Sequence, residues 1–308
     1  MRQALLFVLI FVLAAFNAGA AEYKAVSSGV RYMHMGDYSV ERLNTILSTE
    51  VAGFSSFKIQ YPQAANGVSL YKVQYATVIP EQGNKPTLAS GLVAVPKTAQ
   101  KKLPVVSYQH GTVFTRTAVP SRPEESDETR IVTARLAGHG YVVIAADYIG
   151  KGDSTEPDSY MVREATVQAC VDMLFAARAV LADLGITEDG LFLSGWSQGS
   201  WSTQQFRHRL ESLKVPVKAA ATAATPTDLY LLLTRWINNP TALDATWLAG
   251  SVILFAHSYA HYYDMPGLPQ TVIKPEYEAA CRDFYENKIG WEQLQPQIPA
   301  KIADLLQK

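Results

Sequence analysis

The residues best suited to chemistry stand together between Gly190 and Ser200, which reads Gly-Leu-Phe-Leu-Ser-Gly-Trp-Ser-Gln-Gly-Ser. Gly195, Ser197 and Gly199 fit the Gly-x-Ser-x-Gly pattern of a nucleophile elbow. In such a turn the serine sits in strained backbone on a sharp strand-to-helix bend. Its neighbours two places away approach so closely that a Cβ would clash, hence glycine at both. The bend lifts the Ser197 hydroxyl above a sheet edge, where it can act as a nucleophile once a base takes its proton. A chance turn rich in Gly and Ser is the competing reading. The apolar run Leu191–Leu193 before it and a helix from Gln198 to about Leu213 after it favour the elbow. Metal chemistry finds little support. Among six histidines and two cysteines only His257 and His261 are closely spaced, and that pair lacks the Glu of His-Glu-x-x-His. Serine chemistry itself needs no cofactor.

The elements that must position Ser197 follow from periodicity. Two β-rich runs, Leu70–Val78 and Thr87–Val95, flank a Pro- and Gly-containing linker and read as an antiparallel pair at a sheet edge. Val105–Tyr108 is a short strand ending at His110 and Gly111, and 124–136 is a helix closed by Gly138 and Gly140. Tyr141–Ala146 is a continuous apolar run, as expected of a strand buried on both faces, and it exits through Asp147. An amphipathic helix spans about Met161–Leu184, and Val215–Ala221 is a further strand followed by Asp228. A helix over Val40–Ser48 is the one assignment offered before residue 60. Strands alternating with helices specify an α/β fold, a mostly parallel sheet with helices on both faces. Right-handed crossovers bring the strands' C-terminal ends to one edge, so His110, Asp147, Ser197 and Asp228 converge there. Beyond Asp228 the patterns are helical, with Trp247–Tyr263 the clearest. Residues 21–228 therefore read as a core and 229–308 as a helical cap over the site, peripheral helices being the plainer alternative.

Composition narrows the class. The chain has 308 residues and a net charge of −1, which points to no nucleic-acid partner. Arg2, an apolar run from Ala4 to Phe16 and Ala18-Gly19-Ala20 form a secretory signal peptide over residues 1–20, so a periplasmic or extracellular location is expected. No later segment has the ~20 apolar residues of a membrane span. Cys170 shares a helical face with Val167, Val171 and Leu174, which suits a buried free thiol, although an exported chain would permit a disulfide with Cys281.

Taken together, the chain resembles the α/β-hydrolase superfamily, and within it the secretory lipases and related bacterial esterases. Four motifs in order carry the resemblance over roughly residues 71–229: Tyr108–Thr112, Asp147–Ser154, Gly195–Gly199 and Pro226–Leu229. The resemblance implies cleavage of an acyl ester or lipid, with Ser197 as nucleophile. Gln198 N–H would be one oxyanion donor, and Thr112 or Val113 the second. His110 and Gly111 would order that loop, and Asp147 would be a structural hydrogen-bonding residue.

The chain departs from the family at the base. The family's acid follows a seventh strand and its histidine an eighth, both beyond the cap, and neither strand is visible before Lys308. His208 lies 11 residues along the helix from Ser197, about 16 Å at ~1.5 Å per residue, and is out of reach. His139 precedes its strand. Only His257 and His261 keep the family order, with Asp228 as acid, and both also read as ordinary cap residues. Three readings follow. The first is an exported serine esterase or lipase written here as part of a longer reading frame, which DNA beyond the Lys308 codon would reveal. The second is a short enzyme using Asp228 with His257 or His261. The third is a non-catalytic exported protein keeping the scaffold for binding or assembly.

Overall fold

A computed structural model describes residues 22–54 and 59–307; the signal-peptide segment lies outside the described residues. The chain opens on an antiparallel run, β1 (Lys24–Ser27), β2 (Val30–Tyr38), β3 (Val68–Ile79) and β4 (Lys85–Pro96), paired in sequence. Between β2 and β3 stand α1 (Val40–Thr45) and α2 (Val51–Phe54), joined by a π-helical turn. Strands and helices then alternate: β5 (Lys102–Gln109), α3 (Asp127–Leu136), β6 (Val142–Ala146), α4 (Arg163–Asp183), β7 (Thr187–Trp196), α5 (Gln198–Ser212) and β8 (Ala219–Ala223). Across the sheet the order is β1-β2-β3-β4-β6-β5-β7-β8. The ladders from β6 through β5 and β7 to β8 are parallel, and β4 joins this half antiparallel to β6.

Burial on both faces explains the apolar run in β6, whose five residues are all buried. Its side chains alternate with period two. Val142, Ile144 and Ala146 join a core with Cys170, Met173 and Leu174 of α4 and Phe206 of α5. Val143 and Ala145 face the opposite core, with Leu43 and Ile46 from the α1 region and Ala134 of α3. Cys170 and Cys281 are both buried free thiols, in separate cores.

Two strand expectations shift. The β3–β4 pair has the expected antiparallel register, from Val68 opposite Pro96 to Ile79 opposite Lys85, but it is interior, because β2 covers β3. β2 escapes a periodicity reading because Arg31, His34 and Asp37 lie exposed along it and a bulge interrupts it between His34 and Gly36. β8 begins at Ala219 rather than Val215. The Val215 N–H closes α5 on Leu210 O at 2.9 Å, and Pro216 has no N–H to give a ladder.

After β8 the described residues form helices: α6 (Leu229–Asn238), α7 (Leu248–Tyr262), α8 (Leu268–Val272), α9 (Pro275–Tyr285), α10 (Trp291–Leu294) and α11 (Ile302–Leu305). They share a core of their own, including Ile253, Phe284 and Leu294, into which Tyr160 and Met161 reach from the loop after β6. Three hydroxyls fix this layer to that loop. Ser258 and Tyr285 donate to the Asp158 carbonyl at 2.7 and 2.9 Å, and Tyr262 donates to the Pro157 carbonyl at 2.6 Å.

Candidate active site

Ser197 joins the end of β7 to the start of α5 with φ 53° and ψ −118°, a conformation costly for any residue with a Cβ. Its N–H is held by Ala223 O at 3.0 Å. The flanking glycines are required by contact. A Cβ on Gly195 would lie 2.4 Å from Gly199 O, and one on Gly199 would lie 1.9 Å from Gln109 O. So α5 starts hard against the end of β5, with the first N–H groups of the helix free of intrahelical partners. Gln198, the first residue of α5, is buried at that point.

The loop leaving β5 is tied on every side. Tyr148 O–H donates to His110 O at 3.1 Å. The His110 ring stacks on Tyr148, with Nδ1 2.8 Å from Gly111 O and Nε2 3.2 Å from Asp147 O. Full burial pulls the imidazole pKa down to about 4, so at neutral pH the ring is uncharged and braces backbone. Gly111 N–H donates to both carboxylate oxygens of Glu128, at 3.0 and 3.1 Å. Lys151 Nζ donates to Val113 O at 3.1 Å and pairs with Asp158 at 2.8 Å. Asp147 accepts from Ser90 Oγ at 2.5 Å and from Ser121 N–H at 2.8 Å, and burial pushes its carboxyl pKa up. It anchors the loop carrying Ser121.

Ser197, Gln198 and Thr112 open onto one cavity of about 520 Å³. Leu229, Leu233 and Trp236 of α6, Val252 and Phe255 of α7, and Leu306 at the C-terminal end line it, leaving it almost wholly apolar. Its polar margin is Thr112, whose Oγ1 meets Tyr160 Oη at 2.9 Å, with Ser251 nearby on the wall. Ser197, Met161 and Ala224, three non-glycine residues with positive φ, all stand on this cavity. Backbone strain of that kind concentrates at functional sites.

Of the two expected positions for the second oxyanion donor, only Thr112 reaches the cavity, and Val113 is turned to Lys151 through its carbonyl. The structure places the acid and base candidates away from the cavity. Asp228 is exposed and caps α6, accepting from Leu231 N–H at 2.8 Å. His257 stacks on Tyr285 on the far side of α7 from the cavity-lining Val252 and Phe255, and burial lowers its pKa to about 4. His261 lies 3.1 Å from Gln82 in the β3–β4 turn. None of the three lines the cavity. His34 pairs with Asp37 on β2, and His208 is exposed on α5. Glu128, Lys151 and Tyr160 escape a sequence reading: no motif marks the first or the last, and Lys151 occupies a variable position of the Asp147–Ser154 motif. Among the described residues no cluster of three metal-ligating side chains occurs.

A strand-bend-helix with a strained serine at the carboxyl edge of a parallel sheet, under a helical layer, decides the fold. The chain has an α/β-hydrolase fold. No protein-family model matches it, and no curated protein does. Solved structures do. The "putative hydrolase" of Legionella pneumophila subsp. pneumophila str. Philadelphia 1 is similar at a TM-score of 0.78 and 26% identity, over 90% of this chain and 72% of that one. The rice cell wall degrading esterase LipA from Xanthomonas oryzae is similar at 0.72 and 22%, with the same coverage of each chain. Candida antarctica lipase A gives 0.58 and 15%, over 89% of this chain and 60% of that chain. These neighbours share the fold of this chain, and the one at 26% identity is described as a hydrolase.

Proposed function

We propose that this chain is an exported serine hydrolase of carboxylic esters bearing an apolar acyl chain. The observation that carries the reading is Ser197, in strained elbow geometry on the wall of a 520 Å³ apolar cavity, beside the start of α5. Ser197 Oγ attacks the ester carbonyl carbon, the C–O bond to the alcohol breaks, and the alcohol leaves with a proton. Water then hydrolyses the acyl-enzyme. The N–H groups of Gln198 and Thr112 receive the developing oxyanion, each worth about 3 kcal/mol in the transition state. The acyl chain lies in the cavity, gaining about 0.8 kcal/mol per buried methylene. An imidazole to take the proton of Ser197 Oγ is not found among the described residues that line the cavity. Export rests on Arg2, the Ala4–Phe16 run and Ala18-Gly19-Ala20.

The test is covalent labelling by a fluorophosphonate together with turnover of p-nitrophenyl esters, with Ser197→Ala as control. Labelling lost in the control supports the reading, and absence of both labelling and turnover in the native chain overturns it. The placement of the histidines favours one second reading, a non-catalytic carrier of acyl ligands. That protein would quench Trp236 and Trp247 fluorescence on adding a fatty acid while resisting the fluorophosphonate.

A further inference from the structure

Two buried charges of opposite sign hold the segment between β5 and the cavity, one at each end. Glu128, near the start of α3, is 8% exposed, and both its oxygens accept the N–H of Gly111. Tyr108 O–H adds a third bond to it at 2.6 Å. Lys151, 4% exposed, donates to the carbonyl of Val113, with Asp158 as counter-ion. Thr112 lies between, and its is the one side chain of this trio on the cavity wall. Isolated charges are expensive to bury, and a fold keeps them where they are paired and hydrogen-bonded. Here an anion takes the N–H on one side of Thr112 and a cation takes the C=O on the other. The packing leaves no slack: a Cβ on Gly111 would stand 3.1 Å from the Trp196 ring and 3.2 Å from Glu128 Oε2.

We propose that Glu128 and Lys151 are positioning residues that clamp Gly111 and Val113 so that the Thr112 peptide is presented to Ser197 as an oxyanion donor. The proposal rests on the serine-hydrolase reading. Donors aimed beforehand at developing charge act in the transition state and not on bound ester, so the clamp belongs to kcat rather than KM. The charge on Glu128 matters to its grip, because bonds to an ionised acceptor are about twice as strong as neutral ones. Burial raises its pKa to about 7. Its titratable neighbours stay neutral around that pH: burial lowers His110 to about 4 and raises Tyr108 and Tyr148 well above their usual value.

Glu128→Gln keeps the shape and one acceptor for Gly111 N–H but removes the charge. The expected result is a three- to tenfold drop in kcat with KM within twofold, on the order of one neutralised charge-assisted bond. The native fall in kcat below pH ~7 should lose its Glu128 component, and Glu128→Asp should restore part of kcat. Lys151→Met alone strands Asp158 and is expected to fold poorly, so the Lys151→Met/Asp158→Asn pair is used. Amide hydrogen exchange at Gly111 and Thr112 is read in parallel and needs no turnover; it should quicken in both variants while the β6 amides keep their rates. Unchanged exchange at Gly111 and Thr112, or losses in KM equal to those in kcat, would overturn the clamp. A native chain inert to fluorophosphonate would instead sink the serine reading, and the exchange rates tell the two failures apart.

Discussion

Gly199→Ala is the sharpest probe of the elbow. The added Cβ would stand 1.9 Å from Gln109 O and 2.6 Å from His110 O, against an ordinary contact of at least 3.4 Å. Both are backbone oxygens of the segment leading to Thr112, so no side chain can swing aside, and α5 and that segment must part by roughly 1.5 Å. Two effects on stability oppose each other. Alanine favours helix over glycine by about 0.8–1 kcal/mol, and overpacking costs about 1–3 kcal/mol. The net is a loss of about 0–2 kcal/mol, or a fall of up to about 4 °C in Tm for a chain of this size. The effect on chemistry is larger, since a displacement of about 1 Å at a reacting geometry costs about 10² in rate. The assay is the second-order rate of fluorophosphonate labelling at Ser197, with Tm by circular dichroism. Gly290→Ala is the control, because its Cβ would find nothing nearer than Gln293 Oε1 at 4.0 Å. A Gly199→Ala protein labelled within twofold of native would refute the contact argument.

Three further outcomes are expected. His257 is held at about 4 in the fold against an ordinary value near 6.5, so the unfolded chain binds more protons between those values. Relative to His257→Gln, the native protein should therefore lose stability as pH falls from ~6.5 to ~4, on the order of 3 kcal/mol, measured by urea unfolding at each pH; a constant difference would contradict it. Burial raises the Cys281 thiol to about 12 and Cys170 still further, so neither should react with a thiol reagent until denaturant is added, and a reductant should leave Tm unchanged. Val252→Trp fills part of the cavity, and each methylene it excludes should weaken long-chain esters about fourfold while acetyl esters stay within twofold; a uniform loss over chain length would place the acyl chain elsewhere.

The parallel half of the sheet was legible because burial on both faces writes itself into residue type. Val142–Ala146 and Leu191–Leu193 have no reason to be polar, and the glycines around Ser197 are fixed by contacts a short motif encodes. The β1–β2 pair was illegible because one face is solvated and its bulge breaks the period. The site divided in the same way. Ser197 and His110 follow strand ends and were placed by topology, whereas Gln198 and Thr112 were offered by the family resemblance. Glu128 was not, since a carboxylate near a helix start is ordinarily a solvated one, and only tertiary structure folds it under Gly111. His257 and His261 were admitted by chain order alone, and helix rotation turns them from the cavity. Order along a chain carries no information about which way a helix face points.

The helical layer is fastened unevenly, and that has a mechanical consequence. Ser258, Tyr262 and Tyr285 fix α7 and α9 to two successive carbonyls of the core, so lifting them requires breaking three hydrogen bonds together. α6 has none of its residues buried, and Tyr230 and Leu231 lie 81% and 65% exposed on it. Its side-chain polar bonds run within itself and to Thr241 and Asp244. One wall of the cavity is thus pinned to the core by polar bonds and the other is held by apolar side chains, so that local opening of the cavity would cost less at α6 than at α7 or α9.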